Sequence, residues 1–226
     1  MINSPNKTKQ FFEAVQGGDV ATVTSLLDAD PALTAMRNEQ GQSAILVAVY
    51  HGRRDVRDLL IARGVSLDIV DAVAAGQIER VQQLVEKDRA LADSFSPDGF
   101  PVFALAVTFG HKDVAEYLLS RGAGVNRVST NPTGYTALTG AVAMGRTELV
   151  AWLLSSGANA NHRYGPGYSP LHEAAANGRL EMVRLLVAAG ADTAALTTDG
   201  KTPLAFAEER NHVDVAAFLR QRSAYA

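Results

Sequence analysis

The sequence predicts an all-α repeat solenoid, with about seven helix-turn-helix units joined by β-hairpin-like connections. Three observations carry this. Gly18, Gly52, Gly76, Gly110, Gly145, Gly178 and Asn211 stand at intervals of 34, 24, 34, 35, 33 and 33 residues. A period near ~33 belongs to two-helix units that bury their apolar faces only by stacking on neighbours. Each marker follows an Ala/Val-rich stretch, and aromatics are only 7%, as thin, closely packed helical layers require.

Residues 1–226 read as one domain of repeats over about 8–37, 38–68, 69–95, 96–128, 129–163, 164–196 and 197–226. The first and third, around 11–33 and 69–91, keep a helix pair and lose the front turn. The second reads GQSAILVAVYHGRRDVRDLLIARGVSLD and the fourth GFPVFALAVTFGHKDVAEYLLSRGAGVN. In the fourth, Pro101 takes the place of a capping Ser or Thr, which predicts a poorer helix start. The fifth reads GYTALTGAVAMGRTELVAWLLSSGANAN. The sixth, over 167–192, is the clearest. Ser169 caps a helix, Pro170 suits its first turn, Leu171, Ala174 and Ala175 form a small apolar face, and Gly178 ends the helix. Met182, Val183, Leu185, Leu186 and Val187 then line a second helix that stops at Gly190. In the seventh, Asn211 replaces the turn Gly, which the left-handed region tolerates. Phe206 and Glu208 there predict a terminal cap with one wet face.

These units resemble the ankyrin repeat family, whose pattern is close to G-x-T-P-L-H-x-A-A-x-x-G-H-x-x-V-V-x-L-L-L-x-x-G-A-D. The resemblance runs from about residue 10 to 220 and implies a stand-alone ankyrin repeat protein acting in protein–protein interaction.

Two intervals depart from the period. The short one reflects a duplication: Gly18/Gly76, Gly41/Gly99, Gly52/Gly110 and Gly64/Gly122 are all 58 apart. The second copy starts at Ile69 without a Gly-containing hairpin, so a row of fingertips should have a gap before the third repeat. The long interval comes from RVSTNP at 127–132, which predicts a longer, more exposed fingertip.

Composition excludes several functions. The net charge is -3 with no basic patch or tail, which argues against nucleic acid as a partner. Cys is absent, so thiol nucleophiles and thiolate metal sites are excluded. No apolar run approaches a membrane span, and residues 1–10 show no secretory signal, so a cytoplasmic protein is expected.

Catalysis finds no support. Phosphate-loop, dinucleotide and G-x-S-x-G signatures are missing, and no two of His51, His111, His162, His172 and His212 have the i, i+4 spacing of a helical metal pair. The expectation is a non-enzyme with no catalytic residues, metal or cofactor. The resemblance implies that His172 bonds neighbouring turn backbone; His111 and His212, just after the turn residue, read as structural too.

The family's concave surface is built from hairpin tips and the ends of first helices. Carried onto this chain, that rule nominates Tyr50, His51, Phe100, Phe109, Tyr135, Met144, Tyr168, Asn177 and Arg210 as partner-binding residues. Tyr, Phe and Met are enriched in interface cores. Two readings of the rings stay open: a recognition strip, or packing across the hairpins and inward. Trp152 reads as packing on the outer layer, and Arg53, Arg54, Arg57 and Asp58 as a solvated convex edge. The leading expectation is a scaffold or adaptor with a protein partner of open identity. The alternatives are an immunity or antitoxin-like inhibitor of a neighbouring enzyme and, remotely, an enzyme. Oligomeric state is not encoded in this pattern.

Overall fold

A computed structural model describes residues 4–223. They form fourteen α-helices in consecutive antiparallel-type pairs: α1 Ser4–Gly17 and α2 Val20–Ala29, α3 Ala44–Tyr50 and α4 Arg54–Ala62, α5 Ile69–Ala74 and α6 Ile78–Lys87. The series continues with α7 Val102–Phe109 and α8 Lys112–Ser120, α9 Ala137–Ala143 and α10 Thr147–Ser155, α11 Pro170–Ala176 and α12 Leu180–Ala188, α13 Pro203–Glu209 and α14 Val213–Ser223. Among the described residues no extended strand forms. Isolated bridges Arg37–Ser43, Phe95–Pro101 and Tyr164–Tyr168 pin three of the hairpins.

The first helices of the second to sixth pairs are short and almost wholly buried, as Ala44–Ala48 and Val102–Val107 show, whereas α1 is longer and half exposed. The second helices are amphipathic, with Val56 and Leu60, Val81 and Val85, or Val114 and Leu118 on the buried stripe. One apolar cluster runs from Phe11 to Leu219. Phe103 packs against Trp152 at 6.1 Å between ring centres, consistent with a packing role for that Trp.

The duplication is visible element by element. α6 repeats α2, α8 repeats α4, and the 3-10 turns Pro31–Ala35 and Arg89–Asp93 coincide at the offset of 58. Asp30 and Asp88 cap those two turns in the same way, through the N–H groups of Ala32 and Ala90. Pro101 makes no side-chain cap on α7; instead the Val102 N–H donates to the Ser94 carbonyl.

The long interval also has a direct counterpart. Four hairpins close with a bond spanning four residues, Asn38 to Gln42, Ser96 to Phe100, Tyr164 to Tyr168 and Thr197 to Lys201. In the fifth, Ser129 N–H reaches the Tyr135 carbonyl, two residues further, and Thr130, Pro132 and Thr133 are exposed.

The junction before α5 lacks a hairpin, as the short interval predicts, and only residues 63–68 connect α4 to α5. The expected gap at the fingertips does not open. Pro97 lies against Gly41, so close that a side-chain carbon on Gly41 would sit 3.7 Å from it. The hairpins at 38–42 and 96–100 thus meet directly, and a depression lies beside Met36, Arg37, Ser66 and Asp68.

Asp71 of α5 occupies the register that His172 holds in α11, three residues after the cap. It is only 2% exposed and accepts a hydrogen bond from the Ser43 hydroxyl. Burial raises its pKa to about 6; neighbouring Asp68 pushes the same way, while Ser43 and Arg37 oppose. Arg37 also holds Asp68 at 2.7 Å.

A second device ties successive pairs together. The residue just after each turn marker reaches back and donates to carbonyls at the end of the preceding first helix, groups that a helix leaves unpaired. Arg53 bonds Gln16, His111 bonds Ala74, Arg146 bonds Phe109, and His212 bonds Ala176. Arg179 takes both Val142 and Ala143. A cation there also meets the negative end of the helix dipole. Arg179→Met keeps the stem and loses the donors, and a denaturant melt should show about 1.5–3 kcal/mol lost with an unchanged slope. A loss below about 0.5 kcal/mol would make these straps incidental.

Gln77, at the duplication junction, is the exception. No side chain covers Gly52, whereas each of Gly18, Gly76, Gly110, Gly145 and Gly178 has the strap of the next unit within 4 Å of where a Cβ would stand.

Phe206 corrects the expectation of a wet terminal face. It is buried against Tyr168 and His172, with ring centres 5.4 and 5.8 Å away. Glu208 beside it does face solvent and pairs with Arg220.

Candidate functional site

The inner face is formed by first-helix ends and hairpins. At the duplication junction it is unlike the rest. α5 ends in Ala74 and Ala75, both buried and small, and no hairpin stands in front of it. Side chains from the units on either side can therefore meet over it. Tyr50 at the end of α3 and Phe109 at the end of α7 lie 5.8 Å apart between ring centres, although a whole unit separates them.

Their contact walls a groove of about 220 Å³ that runs onward to Phe100, Thr108, Tyr135, Gly140 and Met144. Gly140 and Ala143 of α9 keep its floor low. A side-chain carbon at Gly140 would fall 2.5 Å from the Thr108 hydroxyl. The lining is almost wholly apolar, and Met144 is 53% exposed at its edge. The Tyr50 hydroxyl oxygen is buried without a hydrogen bond; burial, then the adjacent Asp98 carboxylate, raises its pKa.

Five of the nine nominated residues thus come together: Tyr50, Phe100, Phe109, Tyr135 and Met144. The rest lie elsewhere. Tyr168 belongs to an aromatic cluster with Tyr164, His172 and Phe206. Tyr135 touches the same cluster through Tyr164, 5.0 Å away, so it both packs and lines the groove. His51 is exposed beside the uncovered Gly52. Asn177 bonds the Glu173 carboxylate, and Arg210 donates to the Ala176 carbonyl at 3.1 Å.

A second depression, about 510 Å³, opens beside the first and shares Tyr50, Phe109 and Met144 with it. It forms where Gly52 lacks a strap, and Arg53, Arg54, Arg57 and Arg146 surround it. This corrects the reading of the first three arginines as a convex edge. α4 starts directly after the turn, which sets its first turn beside the ends of α3 and α7. The sequence did hold a signal, because these arginines flank the marker whose following interval is short.

His172 takes the role its register implies. Its Nδ1 faces the Ser169 N–H and hydroxyl, and its Nε2 faces the Lys201 carbonyl at 3.2 Å. Burial keeps its pKa below the usual imidazole range. His162 likewise bonds the Gly134 carbonyl of the hairpin before it. Among the described residues, no three His, Asp or Glu side chains are grouped to hold a metal ion, and no helix is long and apolar enough to cross a membrane.

Comparison with known proteins agrees with this architecture. A family model described as "Ankyrin repeats (3 copies)" matches residues 69–164 and 159–225, well over half of the chain. The chain belongs to the ankyrin repeat family. Over 135 residues, 56% of its length, it is also 28% identical to the transient receptor potential cation channel subfamily A member 1 homolog of Caenorhabditis elegans. It spans 11% of that protein. Ankyrin repeats generally mediate protein–protein interaction, and a face that carries an apolar groove is consistent with that use.

Proposed function

We propose that this ankyrin repeat chain is a non-catalytic scaffold or adaptor that seats a protein partner in the groove between Tyr50, Phe109, Tyr135 and Met144. The observation that carries the reading is a nearly apolar groove on the inner face, with a half-exposed Met at its edge. Exposed Met and aromatic side chains gathered at one place supply the core of protein interfaces. A partner resting on this face and the adjoining hairpins could bury a standard interface of roughly 800 Å² per side.

The test is site-specific photo-crosslinking in lysate of the native host. A photoreactive side chain at Met144 should give a discrete covalent adduct. The same group at exposed Glu116, on the outer helix α8, should give none. Equal adducts at both sites would refute the groove as the binding surface.

A further inference from the structure

The groove has two ends of different chemistry, and together they describe its occupant. This inference rests on the reading that the inner groove receives a protein. At one end the walls are apolar, with Phe100 and Tyr135 on them. At the other, four arginines surround a depression whose lining contains no carboxylate, in a chain whose net charge is -3. Tyr50, Phe109 and Met144 belong to both, so a bound segment passes directly from one to the other.

The arginine charge is largely uncompensated. Arg53 and Arg146 each donate to a backbone carbonyl, which leaves the guanidinium charge in place. Arg57 is paired with Asp58 at 2.8 Å. The Arg54 side chain makes no ion pair or hydrogen bond among the described residues, and the residue is exposed. His111, on the same depression, donates to the Ala74 carbonyl at 3.1 Å, and burial holds its pKa below the usual imidazole range. Of the nearby acids, Asp58 is held by Arg57 and Glu148 by Lys112, while Asp55 in the first turn of α4 and Asp113 near His111 stay outside the lining. Guanidinium groups with free forks are matched by carboxylates, and a low, partly enclosed site strengthens that pairing.

We infer that the partner segment is acidic: an aromatic or aliphatic anchor fills the apolar end, and Asp or Glu side chains beside it lie on the arginines. The order is fixed by the shared wall. An apolar segment without carboxylates would leave the guanidinium groups of Arg53, Arg54 and Arg146 facing an unmatched surface. A basic segment would meet direct repulsion, which costs several kcal/mol at interfaces.

Selection of short random peptides displayed on phage, against the immobilised full chain, tests this. The informative variant is R54E/R57Q. Arg54 is the first residue of α4, where a carboxylate suits the helix dipole, so the fold is retained and a thermal melt verifies it. Wild type should enrich peptides with an apolar anchor next to Asp or Glu. The variant should keep the anchor preference, lose the acidic one, and bind an enriched peptide at least about tenfold more weakly. Added salt should weaken wild-type binding and barely affect the variant.

Neutral or basic peptides enriched by wild type, and lost in Phe109→Ala, would overturn the acidic inference while leaving the groove as a protein site. Enrichment indifferent to Phe109→Ala, or none at all, would overturn both. A single-stranded oligonucleotide that binds through Arg54 where acidic peptides do not would also overturn the inference.

Discussion

Asp71→Asn is expected to stabilise the protein by about 2–3 kcal/mol at neutral pH, with the gain vanishing in acid. Asp71 is buried in α5, and its pKa is raised from 3.8 to about 6. The sign follows from linkage. A carboxyl whose pKa is raised by folding binds its proton more tightly in the native state. Its stabilising contribution is therefore complete below pH of about 4 and is lost as pH rises through about 6. Above that the wild type holds a buried charge, which is expensive. Asn retains an oxygen that can accept the Ser43 hydroxyl and never ionises. Urea melts of both proteins at several pH values should thus coincide near pH 4 and separate up to about pH 7. His111 and His172 are held below the usual imidazole range by burial, so they lose stability as pH falls. Both variants share that trend, and the difference between them isolates Asp71. A difference independent of pH would show that Asp71 is not an isolated buried acid.

Gly76→Ala should cost about 2–4 kcal/mol, whereas Gly52→Ala should cost only about 1–2. The two glycines have nearly equal backbone angles, φ 71° and φ 66°. An L side chain pays a similar backbone penalty at each. The difference lies in what covers them. A Cβ at Gly76 would stand 2.5 Å from the His111 ring, while at Gly52 nothing lies within 4 Å. His111 would have to swing away and surrender its bond to the Ala74 carbonyl. The excess cost at Gly76 is the strap plus the displaced ring, a matched comparison that cancels the backbone term. Equal losses in the two melts would mean that His111 moves freely and the straps add nothing.

The helix pairs, the duplication and both irregular connections were legible because glycine spacing reports chain length between turns. Counting residues therefore located the absent hairpin at 63–68 and the two extra residues before Tyr135. Counting could not report what closes over an absence. Tyr50 and Phe109 are neighbours only because Ala74 and Ala75 are small, and that requires knowing how three units lie together. The arginines were misplaced for the same reason: a charged run at a helix start says nothing of which face it borders. Phe206, with Glu208 in the last repeat, fits a wet terminal face on sequence, but two rings of the preceding unit enclose it. The sequence holds two further signals. An Asp in the otherwise apolar Ile69–Ala74 marks a buried carboxyl. Arg or His directly after five of the seven turn markers announces the straps, of which the structural reading of His111 and His212 is one part.

If recognition occurs at the junction groove, the four methionines report it directly. Protein carrying ¹³C-methyl methionine gives one methyl signal per Met. Met1 lies outside the described residues. Met144 edges the groove at 53% exposure, Met36 borders the depression beside Arg37 and Asp68 at 41%, and Met182 is buried at 1%. In unlabelled lysate of the native host, the Met144 signal should shift while those of Met36 and Met182 hold position. A shift at Met36 with Met144 unmoved would contradict recognition at the groove.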